Sequence, residues 1–258
     1  MTLPASGQLD MYAINAEFGR GYNLNAYRGT TWWTDAGASG TFPAGQIAFS
    51  DFYGKRSTSP VVPGIKQFAF IGNVGSGSNP NLGADHAKRY IVLLAHNQVT
   101  ANNTVLITEC TLGGVSLTYI GGNANYDAGN GGDSAKVSMF AGYYPTGASA
   151  TVAYKLSNGN SVSCATGSYR LVGDNIQLLS SATSGFPQTV NLVNESCAIL
   201  GFSTPNGSAN TSWTNVTNDY TLNPTGWKYG GGSYYTATAE SRSINTIGSK
   251  VYGAFYSP

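Results

Sequence analysis

Charge is scarce in this sequence. Of its 258 residues only 10% are charged, with 13 basic and 12 acidic side chains and a formal net charge of +1. Nucleic-acid binding requires clustered Lys and Arg that neutralise phosphates, whereas basic residues here come together only in pairs such as Lys55-Arg56. Nucleic acid is therefore not an expected partner, and neutral polar side chains must supply most of the surface.

Long apolar runs are also absent, and cysteine is rare. The longest apolar run, "YIVLLA" at 90–95, is far too short to cross a bilayer, and the opening residues lack the basic and apolar segments of an export signal. We therefore expect no membrane insertion, and folding in a cytoplasm. Three cysteines, Cys110, Cys164 and Cys197, favour buried free thiols over a disulfide framework, because their number is odd.

Motifs of the common enzyme classes are missing too. The chain has no G-x-S-x-G, no Walker A loop, no complete G-x-G-x-x-G and no H-E-x-x-H. Of its two histidines, His96 ends an apolar run and is interpreted as a hydrogen-bonded strand residue, while His86 and its neighbour Asp85 do not predict a triad. The eight acidic residues after position 64 are scattered, and no pair stands out as a glycosidase pair. We predict a protein that is not an enzyme and needs no cofactor.

One oxygen-rich stretch, "NYDAGNGGDSAK" at 125–136, resembles a calcium loop in composition. It fails the EF-hand spacing, since its third position is Gly129 and the closing glutamate is absent. A plain surface loop without metal is predicted.

The chain changes character near residue 60. The segment 58–64 belongs to "STSPVVPG", whose two prolines and small polar residues disfavour helix and central strand, so it is predicted to be a linker. We predict a small module over 1–57 and a larger domain over 65–258.

The small module contains two related stretches, "SGQLDMYAINAEFG" and "AGQIAFSDFYG". The first predicts a short helix, with Asp10 as N-cap and Gly19 as a left-handed C-terminal stop; in the second, Ser50 or Asp51 is expected to cap a single turn. Apolar residues from both stretches, with two tryptophans between them, are predicted to pack together and also to form a docking surface: Leu9, Ile14, Phe18, Trp32, Trp33, Ile47, Phe49, Phe52 and Tyr53.

The larger domain shows short apolar segments separated by turn residues. Eleven such segments, rich in β-branched and aromatic residues, predict an all-β fold, an antiparallel β-sandwich that is Ig-like or jelly-roll-like. Gly113-Gly114 and Ser157-Asn158-Gly159-Asn160 predict hairpin turns. Polar and apolar residues alternate in the stretch "TVAYKL" at 151–156, which predicts a strand with one solvent-exposed face and one buried face.

Several aromatic residues stand beside Gly, Asn, Thr and Pro, a setting typical of loops and strand ends. Flat apolar rings with polar tips suit sugars or a protein partner. The predicted contact residues are Tyr143, Tyr144, Trp213, Trp227, Tyr229, Tyr234 and Tyr235. The alternative is that half or more of them complete the core of the sandwich.

The first 56 residues resemble a known group of proteins. Three ordered blocks, "LPASGQLDMYAINAEFG", "FGRGYNLNAYRGTTWW" and "GQIAFSDFYGK", are similar to the N-terminal segment of tailed-bacteriophage virion proteins, the tail fibre and minor structural proteins. Ala48 stands where Ser is common in that group, and Asp10-Met11-Tyr12 replaces a more usual Ser-rich start. Later stretches, among them "ITECTLGGVSLTYIGG", look similar to β-sandwich domains that follow such segments.

The resemblance implies a virion structural protein, assembled in the host cytoplasm. The module would attach it to tail, baseplate or capsid proteins, and the sandwich would contact a host-surface glycan or protein. It also implies trimers, although the sequence has no heptad or collagen-like repeat. The alternatives are a capsid head fibre or decoration protein, a free carbohydrate-binding adhesin, and a glycan-degrading tailspike, which the absence of a 20–50-residue repeat disfavours.

Overall fold

The chain forms two compact units, Met1–Val62 and Pro63–Pro258, which we call the N-terminal unit and the sandwich unit. Most of the predicted linker lies outside the part of the chain that the structure, a computed structural model, describes. The described residues are 2–35, 38–58, 64–99, 105–127, 133–205, 213–224, 227–246 and 249–258. None of the helices within these ranges is long and apolar enough to span a membrane.

Short elements build the N-terminal unit: helix α1 (Met11–Phe18), 3-10 helices Leu24–Tyr27 and Phe49–Phe52, and the hairpin of β1 (Thr31–Trp33) and β2 (Ser39–Thr41). The predicted helix ends are confirmed, because the Asp10 carboxylate accepts a hydrogen bond from the Ala13 N–H and Gly19 has a φ of 65°. The second predicted turn is also present, at Phe49–Phe52, but its N-cap is Ala48 and not Ser50 or Asp51. Asp51 lies inside that turn, and its carboxylate accepts from the N–H of Ala48 instead.

Interlocking aromatic rings form the core of this unit. Phe52 lies at its centre, with ring centroids 4.3 Å from Phe42, 5.4 Å from Tyr27 and 5.9 Å from Phe18. The last two contacts are edge-to-face, the arrangement that aromatic quadrupoles favour. The N-terminal unit therefore completes a core of its own.

The sandwich unit is all-β, as predicted. Its strands are β3 (Gln67–Val74), β4 (Arg89–Val99), β5 (Ile107–Leu112), β6 (Val115–Ser116), β7 (Thr118–Asp127), β8 (Asp133–Tyr143), β9 (Val152–Leu156), β10 (Ser161–Val162), β11 (Ala165–Val172), β12 (Gln177–Ala182), β13 (Gln188–Leu192), β14 (Ser196–Thr204), β15 (Thr217–Leu222), β16 (Lys228–Thr236), β17 (Glu240–Ile244) and β18 (Ser249–Tyr256). Both predicted hairpin turns are confirmed, joining β5 to β6 and β9 to β10, and so is the alternation of β9. The Ig-like or jelly-roll-like subtype stays a prediction.

Among the described residues these strands form four stacked sheets. Two five-stranded sheets, β3-β11-β4-β8-β7 and β12-β18-β14-β16-β15, lie in the middle and share a core that includes Leu94 and Ile199. The four-stranded sheet β10-β9-β5-β6 covers the outer face of the first, and the pair β13-β17 covers the outer face of the second. Central strands are thus buried on both faces, which explains why "YIVLLA" does not alternate.

The two halves of the sandwich unit have the same strand order in their five-stranded sheets. Across each five-stranded sheet, β3, β11, β4, β8 and β7 of the first half correspond in order to β12, β18, β14, β16 and β15 of the second. Each of the four edge strands also carries a bulge, at Ile71, Ile120, Leu179 and Asp219. Bulges twist an edge away from incoming strands, so we expect these edges to resist pairing with another chain.

Glycines of β16 make room for rings from neighbouring strands. The glycines beside Tyr229 and Tyr234 are typical of loops and strand ends, but β16 is a paired, mostly buried strand. A Cβ at Gly231 would lie 2.5 Å from the Tyr169 hydroxyl and closer still to the Tyr220 ring. Glycine beside aromatic residues therefore marks close packing at this position.

Gly231→Ala is expected to destabilise the sandwich unit by about 1–3 kcal/mol, because the new methyl group overpacks a filled core. Gly75→Ala is the matched control, since a Cβ there would have no neighbour within 4 Å. Denaturant unfolding of both variants tests this, and equal stabilities would contradict the account of β16.

Candidate functional site

The predicted docking residues separate into core and surface. Ile14, Phe18, Ile47 and Phe52 are buried in the core of the N-terminal unit and have no surface to offer a partner. Their prediction as docking residues is wrong because they are buried, whereas the predicted packing of these residues together is confirmed. Leu9 is partly buried against the same core.

The remaining predicted residues, Trp32, Trp33, Phe49 and Tyr53, are partly or well exposed. Two of them, Trp32 and Tyr53, line a cleft of about 370 Å³ together with Thr41, Phe42, Pro43, Ser50, Asp51 and Lys55. The Tyr53 hydroxyl donates to the Gly7 carbonyl at 2.6 Å, which fixes the ring. We call this feature the Trp32 cleft.

Trp32 contacts both Gly40 and Lys55 within the cleft. The ring lies across Gly40, where a Cβ would be 2.5 Å from a ring carbon. On the ring the Lys55 ammonium sits 3.3 Å from the centroid, which is a cation–π contact. Contacts with Gly40 and Lys55 cover part of the Trp32 ring, and the cation–π contact holds the positive charge of Lys55 beside it.

Asp51 supplies the opposite charge of the cleft. One carboxylate oxygen accepts from the Ala48 N–H at 2.8 Å. Among the described residues no carboxylate lies within ion-pair distance of Lys55. The cleft therefore offers the Lys55 ammonium and the Asp51 carboxylate as separate groups. An acidic side chain of a peptide could pair with the ammonium, and backbone N–H groups of the peptide could donate to the carboxylate.

A second aromatic feature of the N-terminal unit was missed in the sequence. Tyr12 and Tyr22 are 73% and 60% exposed, and their ring centroids lie 5.5 Å apart. Tyr12 is on the outer face of α1, opposite the buried Ile14 and Phe18. The helical spacing of the apolar residues identified the inner face but gave no reason to single out this pair.

Some predicted contact residues of the sandwich unit are structural. Tyr229 is buried in the shared core with its ring 4.9 Å from that of His96, so its prediction as a contact residue is wrong. Trp213 packs edge-to-face on Phe202, and Tyr144 is half-buried beside Arg89. These three rings pack in or against the cores, which was the alternative considered above.

Tyr234, Tyr235, Tyr143 and Trp227 retain exposed surface. The Arg242 guanidinium lies 3.5 Å over the Tyr234 ring on the outer side of β16. Tyr143 and Tyr235 lie at the end of the sandwich where the chain enters it, and Trp227 lies at the opposite end, beside the pair Lys228 and Thr204. The structure therefore does not bring the predicted contact residues together into one surface.

The side chains most capable of chemistry, the His96 imidazole and the cysteine thiols, are buried and do not line a cleft. The His96 imidazole joins the two central sheets, with Nδ1 3.1 Å from the Ser203 hydroxyl and Nε2 2.8 Å from the Tyr220 hydroxyl. Burial lowers the pKa of His96 to about 3. Its interpretation as a hydrogen-bonded strand residue is confirmed.

The three cysteines are free and buried, as predicted. Burial raises the pKa of the Cys110 thiol to about 12, which disfavours the reactive thiolate. In the part of the chain that the structure describes, no three His, Cys, Asp or Glu residues are grouped as a metal site would need. The centre of the 125–136 stretch lies outside the described residues.

Comparison with known proteins found no relative, since no protein-family model, no curated protein and no solved structure matches this chain.

Proposed function

We propose that this chain is a non-enzymatic structural protein of a bacteriophage virion, a tail fibre or baseplate-associated protein. The N-terminal unit attaches it to other virion proteins, and the sandwich unit extends to the host surface, where it contacts a glycan or a protein. The observation that carries the proposal is the Trp32 cleft, which is built from the blocks that resemble virion attachment segments.

Several residues of the cleft lie outside the core of the unit. The core is closed by Phe18, Tyr27, Phe42 and Phe52, yet the conspicuous "DFYGK" block also places Asp51, Tyr53 and Lys55 around an open cleft. A partner that fills a preformed cleft with complementary charge loses little conformational freedom. This supports attachment through the N-terminal unit.

Lys55→Glu in the full-length chain is expected to weaken binding to virions at least tenfold, because the fixed cation becomes an anion beside Asp51. Particles grown from a phage whose own copy of the gene is interrupted are incubated with purified chain and sedimented, and the bound fraction is measured. Lys55→Arg should retain binding, since it keeps the charge over Trp32.

Arg28→Glu is the matched control for this experiment. Arg28 is an exposed residue of the same unit outside the cleft, so its reversal makes the same change in net charge. Equal losses for Arg28→Glu and Lys55→Glu would show a general charge effect and contradict the assignment of the cleft. Failure of the unaltered chain to bind any particle would overturn the proposed function itself.

A further inference from the structure

Strand β2 of the N-terminal unit has one open edge. The Phe42 N–H donates to the Thr30 carbonyl at 3.0 Å, just before the first pair of β1 with β2. Because hydrogen-bonded and non-hydrogen-bonded pairs alternate along an antiparallel ladder, the backbone N–H and C=O groups of Ser39 and Thr41 point away from β1. Both residues are exposed, and no other strand among the described residues pairs with this edge.

The open edge lacks the features that usually prevent pairing with another chain. The four edge strands of the two central sheets carry bulges, whereas the three pairs of β1 with β2 keep an unbroken register. Ser39–Thr41 also contains neither proline nor a charged side chain, two further protections of natural edges. The edge therefore presents regular donors and acceptors, which an added extended strand uses.

The Trp32 cleft lies along this strand. Thr41 lines the cleft together with Trp32 and Lys55. Trp32 is the cross-strand partner of Gly40, and its ring lies over that glycine, because a Cβ there would be 2.5 Å from a ring carbon. The Lys55 ammonium lies 3.3 Å from the centroid of the same ring. The aromatic ring and the positive charge are therefore both close to β2.

The register of an added strand follows from the pattern of β2. Ser39 and Thr41 would form its hydrogen bonds, so the added residue opposite Gly40 would belong to a non-hydrogen-bonded pair. Side chains of opposite residues project to the same face of a sheet, with Cβ atoms about 4.5–5.5 Å apart. Gly40 has no side chain to fill that space. The added side chain would therefore meet the Trp32 ring and the Lys55 ammonium.

The charges of the cleft favour an acidic side chain at that position. Among the described residues Lys55 has no carboxylate within ion-pair distance. The Asp51 carboxylate, by contrast, already accepts a hydrogen bond from the Ala48 N–H at 2.8 Å. The cation is thus the group that still needs a partner, and an Asp or Glu would supply a charge-assisted hydrogen bond.

We infer that β2 accepts an extended segment of another virion protein as an added strand, with an Asp or Glu of that segment opposite Gly40. This inference rests on the proposed function and names the kind of partner that the Trp32 cleft takes. Main-chain hydrogen bonds to Ser39 and Thr41 contribute affinity. The pairing of the acid with Lys55 fixes the register, because a slip by one residue moves the acid to the other face.

Thr41→Pro in the full-length chain tests the added strand, because it removes an N–H that faces the partner and makes no bond to β1. Thr31→Pro is the matched control. Thr31 is the cross-strand partner of Thr41, so its N–H points to the opposite edge of the hairpin. We expect Thr41→Pro to bind about tenfold more weakly, because one hydrogen bond is lost and a carbonyl of the partner stays unpaired. Thr31→Pro should bind like the unaltered chain.

Binding to the particles described above is measured by sedimentation, and thermal unfolding shows whether each variant is folded. Ser39→Pro removes the other outward N–H of β2 and should cause a similar loss. It replaces Thr41→Pro if that variant does not fold. Light scattering gives the oligomeric state of the free chain.

The salt dependence of binding tests the acidic residue. Binding of the unaltered chain should weaken as salt rises from about 50 mM to about 500 mM, because screening weakens an ion pair that is not deeply buried. Lys55→Gln should bind weakly at both concentrations and depend less on salt. An equal salt dependence of the two proteins would contradict an Asp or Glu opposite Gly40.

The remaining outcomes separate this inference from the proposed function. If the unaltered chain binds particles and the folded proline variants of β2 bind equally well, no strand is added, while the proposed function stands. Equal losses for Thr31→Pro and Thr41→Pro would trace the effect to the hairpin itself and also overturn the inference. If the unaltered chain is an oligomer that Thr41→Pro converts to monomers, a second copy occupies the edge, which overturns the choice of another virion protein. If the unaltered chain binds no particle, the proposed function fails and this inference fails with it.

Discussion

Replacing Arg89 by methionine is expected to lower the free energy of unfolding of the sandwich unit by about 3–5 kcal/mol. The Arg89 side chain is fully buried, and its guanidinium donates to the carbonyls of Gly83, Ala84, Tyr144 and Gly147 at 2.6–3.1 Å. Methionine fills much of the volume but donates no hydrogen bond. Four carbonyls from two loops would lose their partner at once, and denaturant unfolding measures the cost.

Arg170→Met is the control for this prediction. Arg170 also donates to the Ala84 carbonyl, at 3.2 Å, but its side chain is only partly buried. We expect its loss to cost less than about 1 kcal/mol, because water replaces an exposed donor. A similar small loss for Arg89→Met would show that the loops around residues 82–86 and 144–147 do not depend on the buried guanidinium.

The stability of the sandwich unit is expected to fall as the pH is lowered through the range in which a free histidine titrates. The pKa of His96 is about 3 in the folded protein and about 6.5 in an unfolded chain. Below pH 6.5 the unfolded state binds a proton that the folded state does not, so acid favours unfolding. This group alone contributes about 2 kcal/mol of lost stability between pH 7 and pH 5.

His96→Gln should remove this part of the pH dependence, while lowering stability at neutral pH because the packing between the sheets changes. Ser203→Ala is the informative control, since it removes the hydroxyl 3.1 Å from Nδ1 and leaves the imidazole in place. We expect that variant to keep the slope of the unaltered protein. Equal slopes for all three proteins, measured by denaturant unfolding at pH 7 and pH 5, would show that His96 is protonated in the folded state or does not control the slope.

Local sequence patterns predicted local structure well. The cap residues Asp10 and Gly19 set the ends of α1 because each satisfies or redirects the backbone at one position. Gly113-Gly114 formed the expected hairpin turn, with φ values of 55° and 82°, because glycine adopts positive φ without strain. These features depend on a few adjacent residues, which the sequence displays directly.

Burial was harder to predict, because it depends on residues distant in the chain. Phe42 and Tyr27 were not expected in the core of the N-terminal unit, and Phe52 was expected both in that core and at an interface, although the rings of Phe42 and Tyr27 both pack on Phe52. Tyr229 stands beside glycines that resemble a loop, but those glycines accommodate the rings of Tyr220 and Phe202. In both cases residues distant in the chain decide which side chains are buried.

The shared strand plan of the two halves was also invisible in the sequence. The corresponding strands β8 and β16 read "DSAKVSMFAGY" and "KYGGGSYYT", and no residue pattern links them. These two strands are equivalent only in their position within the strand order of each sheet, and many different sequences can occupy that position.

Immunogold electron microscopy of intact phage particles tests the central claim most directly, with antibody raised against residues 65–258 so that the N-terminal unit is left free. The account predicts gold on the particle, at the tail or its tip. Gold over the capsid would make this a head fibre or decoration protein and contradict the role in host contact, and particles without gold would contradict the assignment to the virion altogether.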